Sequence, residues 1–130
     1  MNILISQFSQ TPIYAQLEDQ IRQSILSGSL KPSEMLPSIR VMAKDLGIGI
    51  ITVKRAYDDL CNEGLLISLQ GRGVFVASIS ADKVRAVRLE QLRDRIAEIK
   101  QFCDASAISK EELIREISKA YEEGQHESCN

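Results

Sequence analysis

Apolar residues recur at helical spacing through the first half of the chain. Tyr14, Leu17, Ile21 and Ile25 follow one another at three- and four-residue steps and form one stripe of a helix. Thr11-Pro12 predicts its start, with Thr11 as N-cap and proline at the first helical position, and Gly28 predicts its stop. Leu30-Lys31-Pro32-Ser33 reads as a loop, and Met35-Leu36 as a short extended stretch before Pro37. Ser38 is placed to cap a second helix, whose inward positions are Ile39, Met42, Ala43 and Leu46. Gly47-Ile48-Gly49 ends that helix after about two turns. A third helix runs from about Ile50 to Glu63, burying Val53, Ala56, Tyr57 and Leu60, and stops at Gly64.

The period then changes. Leu65-Leu66-Ile67-Ser68-Leu69 and Val74-Phe75-Val76 are two β-prone runs around Gln70-Gly71-Arg72-Gly73, which predicts a hairpin. Two short helices joined by a Gly-containing turn and followed by a hairpin make a winged helix-turn-helix, and Met35-Leu36 is available as a third strand.

From Ala81 the charges become dense, and Gly and Pro vanish until Gly124. Leu89, Leu92, Ile96, Ile99 and Cys103 keep the three-four spacing of a heptad seam. Asp104 to Ile108 reads as a turn, and Ser109-Lys110-Glu111-Glu112 as a capping box. A last helix then carries Leu113, Ile114, Ile117, Ala120 and Tyr121 on one face. Such a two-helix hairpin is too small for a core of its own. Its stripes are covered either by the winged helix or by a second copy, and the coiled-coil period favours the second copy. The expected dimer interface is Leu89, Leu92, Ile96, Ile99, Cys103, Ile114, Ile117 and Tyr121. The fold class is therefore mainly α with a small β-hairpin wing. Its expected parts are a winged helix-turn-helix at 1–80, a C-terminal two-helix dimerisation hairpin at 81–124, and a disordered tail at 125–130.

The 130 residues suit one small domain with an appendage, and the composition, 44% hydrophobic and 26% charged, is that of an ordinary globular chain. No lysine or arginine precedes Arg22, so the apolar Met1–Ile5 start lacks the basic region of a secretory signal. No apolar run approaches the roughly 20 residues of a membrane span. Cys61, Cys103 and Cys129 are odd in number and form no C-x-x-C, so free thiols in a reducing cytoplasm are expected. The formal charge of −2 speaks against nucleic acid only until it is divided along the chain. Residues 1–80 hold seven positives and seven negatives, whereas 81–130 hold nine and eleven. Lys31 to Arg55 is locally basic, with five positives against two negatives.

The second helix of a helix-turn-helix enters the major groove with its first turns at the base edges. Thr52, Lys54 and Arg55 lie outside its apolar face, where they suit phosphate or base-edge contacts. Ile50 and Ile51 either pack into the local core or offer methyl contacts in the groove. Arg40 lies in the first turn of the preceding helix, at its positive dipole end. Arg72 sits between two glycines at the hairpin tip, where the backbone is free to approach a duplex closely. Enzymatic readings find little support. Gly71-Arg72-Gly73 is not completed to G-x-G-x-x-G, no Walker lysine is present, and His126 stands alone in a polar tail. No catalytic residue, metal site or cofactor is expected.

These residues resemble the GntR-type DNA-binding domain. The resemblance rests on Pro12-Ile13-Tyr14, Gln16-Leu17, Gln20-Ile21-Arg22, Gly28-Ser29-Leu30-Lys31-Pro32 and Leu36-Pro37-Ser38-Ile39-Arg40. It continues through Leu46-Gly47, Thr52-Val53-Lys54-Arg55-Ala56-Tyr57, Leu60, Glu63-Gly64-Leu65-Leu66 and Gly71-Arg72-Gly73-Val74-Phe75-Val76. It covers about residues 10–78, and the short helical tail is similar to the YtrA subfamily. The resemblance implies a dimeric bacterial transcriptional regulator, usually a repressor, on an inverted-repeat operator in double-stranded DNA; the cysteine usage and the lack of a signal already read as cytoplasmic. Members often sit beside ABC-transporter genes that they control, which makes such an operon the implied target. It assigns DNA contact to Arg40, Lys54, Gly71 and Arg72, with Ser38 and Thr52 in support; Arg55 and Gly73 complete the expected DNA-binding set. Ser33 and Gly49-Ile50-Ile51 depart from the family pattern, which favours a glycine and a Ser/Asn-rich helix start there. A small-molecule effector has no separate sensor domain to bind and is unknown; a membrane partner is not expected. The alternative reading is a winged-helix protein-interaction module without specific DNA binding.

Overall fold

The computed structural model describes residues 2–128, and they divide between Val84 and Arg85 into two compact units. The first unit holds α1 (Ile13–Leu26), α2 (Ile39–Leu46), α3 (Ile50–Asn62), β1 (Leu66–Leu69) and β2 (Gly73–Val76). α4 (Ala81–Ala105) begins at its end, capped by Ser80, whose Oγ accepts from the Lys83 amide at 3.1 Å. α5 (Lys110–Ser128) follows.

The core of the first unit is where the apolar stripes meet. Leu17, Ile21 and Ile25 of α1, Met42 and Ala43 of α2, and Val53, Ala56, Tyr57 and Leu60 of α3 are all buried. α3 is the central element, packed against α1, α2 and β1. The wing is an antiparallel pair with Leu66 opposite Val76 and Leu69 opposite Gly73. Met35 makes one bridge to Phe75, so the expected third strand is present as a single pairing. Glu34 and Leu36 extend the same seam, since Leu36 N donates to Val74 O and Val76 N to Glu34 O.

Two boundaries differ from expectation. Pro12, not Thr11, is the N-cap of α1, with φ −55° and ψ 148° and no side-chain cap. The start is secured from within the helix, where Gln16 Nε2 donates to the carbonyls of Thr11 and Ser6, both at 2.8 Å. Gln20 repeats the device one turn on, exchanging two hydrogen bonds with the Leu4 backbone at 2.8 and 2.7 Å. Two glutamine side chains thus hold the N-terminal segment along α1 as a neighbouring strand would. At the other end, α5 runs on to Ser128 where a tail was expected from residue 125. Gly124 does not stop it; a single helix-interior glycine costs only about 1 kcal/mol. Residues 129 and 130, with Cys129, lie outside the described residues.

Within the second unit, α4 and α5 join through a bend in which Ile108 N donates to Cys103 O at 2.9 Å and Ala107 takes φ 56°. Ser109 caps α5 by accepting from the Glu112 amide at 3.1 Å, and its hydroxyl donates to the Glu112 carboxylate at 3.2 Å. Among the described residues, α4 and α5 approach each other closely at few points, unlike α1 and α3.

Candidate nucleic-acid interface

The geometry of this surface starts at Ser38. Its Oγ accepts from the Val41 amide at 3.2 Å and fixes the first turn of α2, which puts Arg40 on the exposed side of that turn. Gly47 ends α2 in the left-handed region, at φ 65° and ψ 37°, a conformation that costs a side-chain-bearing residue roughly 1–2 kcal/mol. α3 begins three residues later. The Tyr57 hydroxyl, on the buried side of α3, donates to the Pro37 carbonyl at 2.8 Å and ties the entry of α2 to the middle of α3. Burial pushes its phenol up to about 12, so it remains a donor throughout the neutral range.

The charged residues on this surface differ in what they already hold. Among the described residues, Arg40, Lys44 and Arg72 form no ion pair. Lys54 reaches one turn along the helix to Asp58 at 2.6 Å, with both groups exposed. An exposed pair contributes about 0–1 kcal/mol, so exchanging Asp58 for a phosphate costs little. Arg55 is placed differently from its neighbour. Its guanidinium lies 3.6 Å from the Tyr14 ring centroid on α1, and 3.9 Å from Asp59. Thr52 is half-buried at the flank of α3. No acidic residue occupies the first turn of α2 or of α3.

At the wing tip, Arg72 N donates to Leu69 O at 2.9 Å, closing the turn, and Gly71 and Gly73 take φ 78° and 122°. A Cβ at Gly73 would stand an ordinary 3.5 Å from Met35 Sδ, so the positive φ rather than lack of space favours glycine there. The Arg72 side chain is exposed and borders an open cleft of about 480 Å³ with Ile67, Leu69 and Phe75.

Sequence reasoning missed Arg22. Its guanidinium binds Glu63 at 2.9 and 3.0 Å and Asp19 at 2.6 Å, and it joins α1 to the end of α3. The helical spacing of Asp19 and Arg22 was visible in the chain, but the Glu63 partner is 41 residues away and needed the fold. It also missed Phe102, which lies exposed three residues after Ile99 on α4. Leu92, Ile96, Ile99, Ile114, Ile117 and Tyr121 are likewise exposed, Leu89 is half-buried, and Cys103 is buried at the bend. Among the described residues no cluster of His, Cys, Asp and Glu is arranged to hold a metal, and no helix is long and apolar enough to cross a membrane.

The profile of the family described as "Bacterial regulatory proteins, gntR family" matches residues 13–76, from the start of α1 to the last residue of the wing. The transcriptional repressor NagR of Bacillus subtilis is 45% identical over 73 residues, 56% of this chain, and the chain spans 30% of that protein's length. The transcriptional repressor YtrA of the same organism is 29% identical over 119 residues, 89% of this chain and 92% of that protein. Among solved structures, YtrA from Sulfolobus acidocaldarius, a GntR-family transcription factor, matches with TM-score 0.56 and 38% identity over 93% of this chain and 97% of that one. The DNA-binding domain of AraR in complex with operator ORE1 matches with TM-score 0.50 and 31% identity over 59% of this chain and 94% of that one. The similarity thus extends over both helix-turn-helix and tail, and the family is one of transcriptional regulators, not enzymes. The chain belongs to the GntR family of bacterial regulatory proteins, with the YtrA-like plan of a winged helix followed by two helices.

Proposed function

We propose that this chain binds double-stranded operator DNA as a homodimer and represses transcription from it. The observation that carries this is which arginines are left free: Arg40 on α2 and Arg72 at the wing tip are exposed and unpaired, while Arg22 and Arg55 are engaged with α1 or the end of α3. In this reading Arg40, Thr52 and Lys54 meet the major groove and Ser38 holds the α2 start in place. Arg72, with Gly71 and Gly73 letting the backbone approach, touches the flanking backbone or minor groove. Arg55 serves to hold α1 on α3. A symmetric dimer suits an inverted repeat with half-sites about one helical turn apart. The names of NagR and YtrA support repression, and the resemblance to the family supports a transporter operon as the target. The exposed stripes of α4 and α5 support a second copy as their cover.

The test is a mobility shift on duplexes selected by the protein from a random-sequence pool. Arg40→Ala and Lys54→Ala are expected to weaken binding sharply at fixed salt, and removing one cation from a phosphate should flatten the log–log salt slope by about 0.9. Unchanged affinity in both variants defeats the assignment. Absence of any salt-dependent DNA binding by the wild-type protein favours an interaction module instead.

A further inference from the structure

We infer that Ile51, with Ile50 beside it, reads thymine methyl groups in the major groove; this rests on the DNA-binding role proposed above. The two isoleucines are not core residues. Ile51 is 84% exposed and Ile50 52% exposed. With about 100° between successive residues of a helix, Val53, Ala56, Tyr57 and Leu60 centre on one side of α3, and Ile51 falls almost directly opposite. It therefore occupies the crest of the outward face, one turn before Lys54.

An exposed isoleucine at that place finds no apolar partner within the fold, and its surroundings say what kind of partner it fits. Arg40, on the preceding helix, is exposed and unpaired, Lys54 follows three residues after Ile51 with only the exposed Asp58 one turn further on as its partner, and no acidic residue occupies either helix's first turn. Such a border suits a polyanion. The floor of the major groove presents donors and acceptors at every base pair, and one apolar group, the C5 methyl of thymine. A branched aliphatic side chain forms no hydrogen bond, so a methyl is the partner it rewards. Opposite a G·C pair it would desolvate polar edges without replacing their hydrogen bonds, which is unfavourable. Selectivity follows from both effects.

Gly49, before the two isoleucines, is compatible with this placement. Its φ of −71° and ψ of 148° are open to any residue, and a Cβ there would meet only Thr52 Oγ1 at an ordinary 3.7 Å. Neither backbone strain nor internal packing requires glycine at this N-cap. Glycine is among the favoured N-cap residues, and its lack of a side chain leaves the start of α3 unobstructed beside Ile50 and Ile51.

The test uses the full chain and a duplex selected by the wild-type protein, in which thymines are replaced singly by uracil. This substitution removes the C5 methyl and leaves the hydrogen-bonding edge intact. Wild-type protein is expected to lose about fourfold in affinity at each thymine that Ile51 contacts, the worth of one buried methyl. Ile51→Ser should bind with the same salt dependence and show no uracil penalty at those positions. Selective binding by the wild type without any uracil penalty overturns the inference and leaves the DNA-binding reading standing. An equal penalty in wild type and Ile51→Ser also overturns it. So does a change in the association state of DNA-free Ile51→Ser with the penalty retained, which would give the patch to protein contact. No sequence-selective binding by the wild type would defeat both readings. Because Ile51 is exposed, its variant should keep the wild-type circular dichroism spectrum and melting temperature; Ile50→Ser, read in the same way, gives a second measurement.

Discussion

Glu18 carries a carboxyl into the contact between α1 and α3, where it is 8% exposed and one of its oxygens, Oε1, has no hydrogen-bond partner. Burial, with the hydrogen bond and negative charge of Asp59 and the charge of Glu63, pushes it up to about 8, against the opposing pull of Arg22. The folded protein therefore holds this proton through a range in which the unfolded chain, with an ordinary value of 4.5, has lost it. Stability from this group is complete below pH 4.5, falls as pH rises, and levels off above pH 8. Glu18→Gln keeps the shape without the titration. Urea unfolding at pH 5 and pH 9 should show the variant gaining on the wild type as pH rises, by at most about 1.4 kcal/mol per pH unit. A gap of equal size at both pH values would remove Glu18 as the cause. Ser33 is a second residue under local strain. It sits at the third position of the Lys31–Glu34 turn, closed by Glu34 N donating to Lys31 O at 3.0 Å, with Pro32 before it and φ at 71°. This is a type II turn, which favours glycine there. Ser33→Gly should raise the unfolding free energy by up to about 1 kcal/mol, the relief of left-handed strain outweighing glycine's greater freedom when unfolded. A drop in the urea midpoint would contradict that account.

The elements themselves were legible because their signals are local. Ser38 caps α2, Gly47 ends it, and all four apolar positions assigned to the inner face of α3 are buried. The hairpin register follows from its short turn. What local pattern does not carry is contact between distant residues. Nothing in the spacing of α1 announces that Gln16 and Gln20 hold the N-terminal segment, that Arg22 meets Glu63, or that Arg55 turns towards Tyr14 and away from its neighbour Lys54. The two possibilities for Ile50 and Ile51 also stayed open until their exposure was known, since an apolar residue at a helix start is compatible with either face. The Tyr57–Pro37 hydrogen bond is another such long-range tie, and it bears on how α2 meets α3. Tyr57→Phe fills the same volume and leaves the exposed Pro37 carbonyl to water, so it should cost about 0.5–1.5 kcal/mol in chemical unfolding. Loss of stability without loss of helix content by circular dichroism is the expected result. A variant as stable as the wild type would show that the bond is not needed.

At the scale of the whole molecule, the largest unexplained cost is the apolar surface of α4 and α5. Leu92, Ile96, Ile99, Phe102, Ile114, Ile117 and Tyr121 are all exposed, on two helices that do not cover each other. Scattered surface leucines are ordinary, but these seven, all but Phe102 on the two helical stripes, make a face that suits a partner. The charge balance agrees with a second copy, because residues 81–130 hold nine positives and eleven negatives, nearly cancelling. Two such tails would meet without strong repulsion. Ile96→Glu and Ile117→Glu each put a carboxylate on that face at a position already open to water in the single chain, so the fold of one protomer should be little affected. Sedimentation is expected to show the wild type as a dimer and the double variant as a monomer, with the helical signal of the first unit retained. If the dimer holds two reading heads on one operator, their separation also removes the gain from linked binding, which is about 10²- to 10⁴-fold. The double variant should then lose at least about 100-fold on an inverted repeat while binding a single half-site as the wild type does. An unchanged sedimentation coefficient, or equal loss on half-site and full site, would mean that these stripes are not what joins two copies.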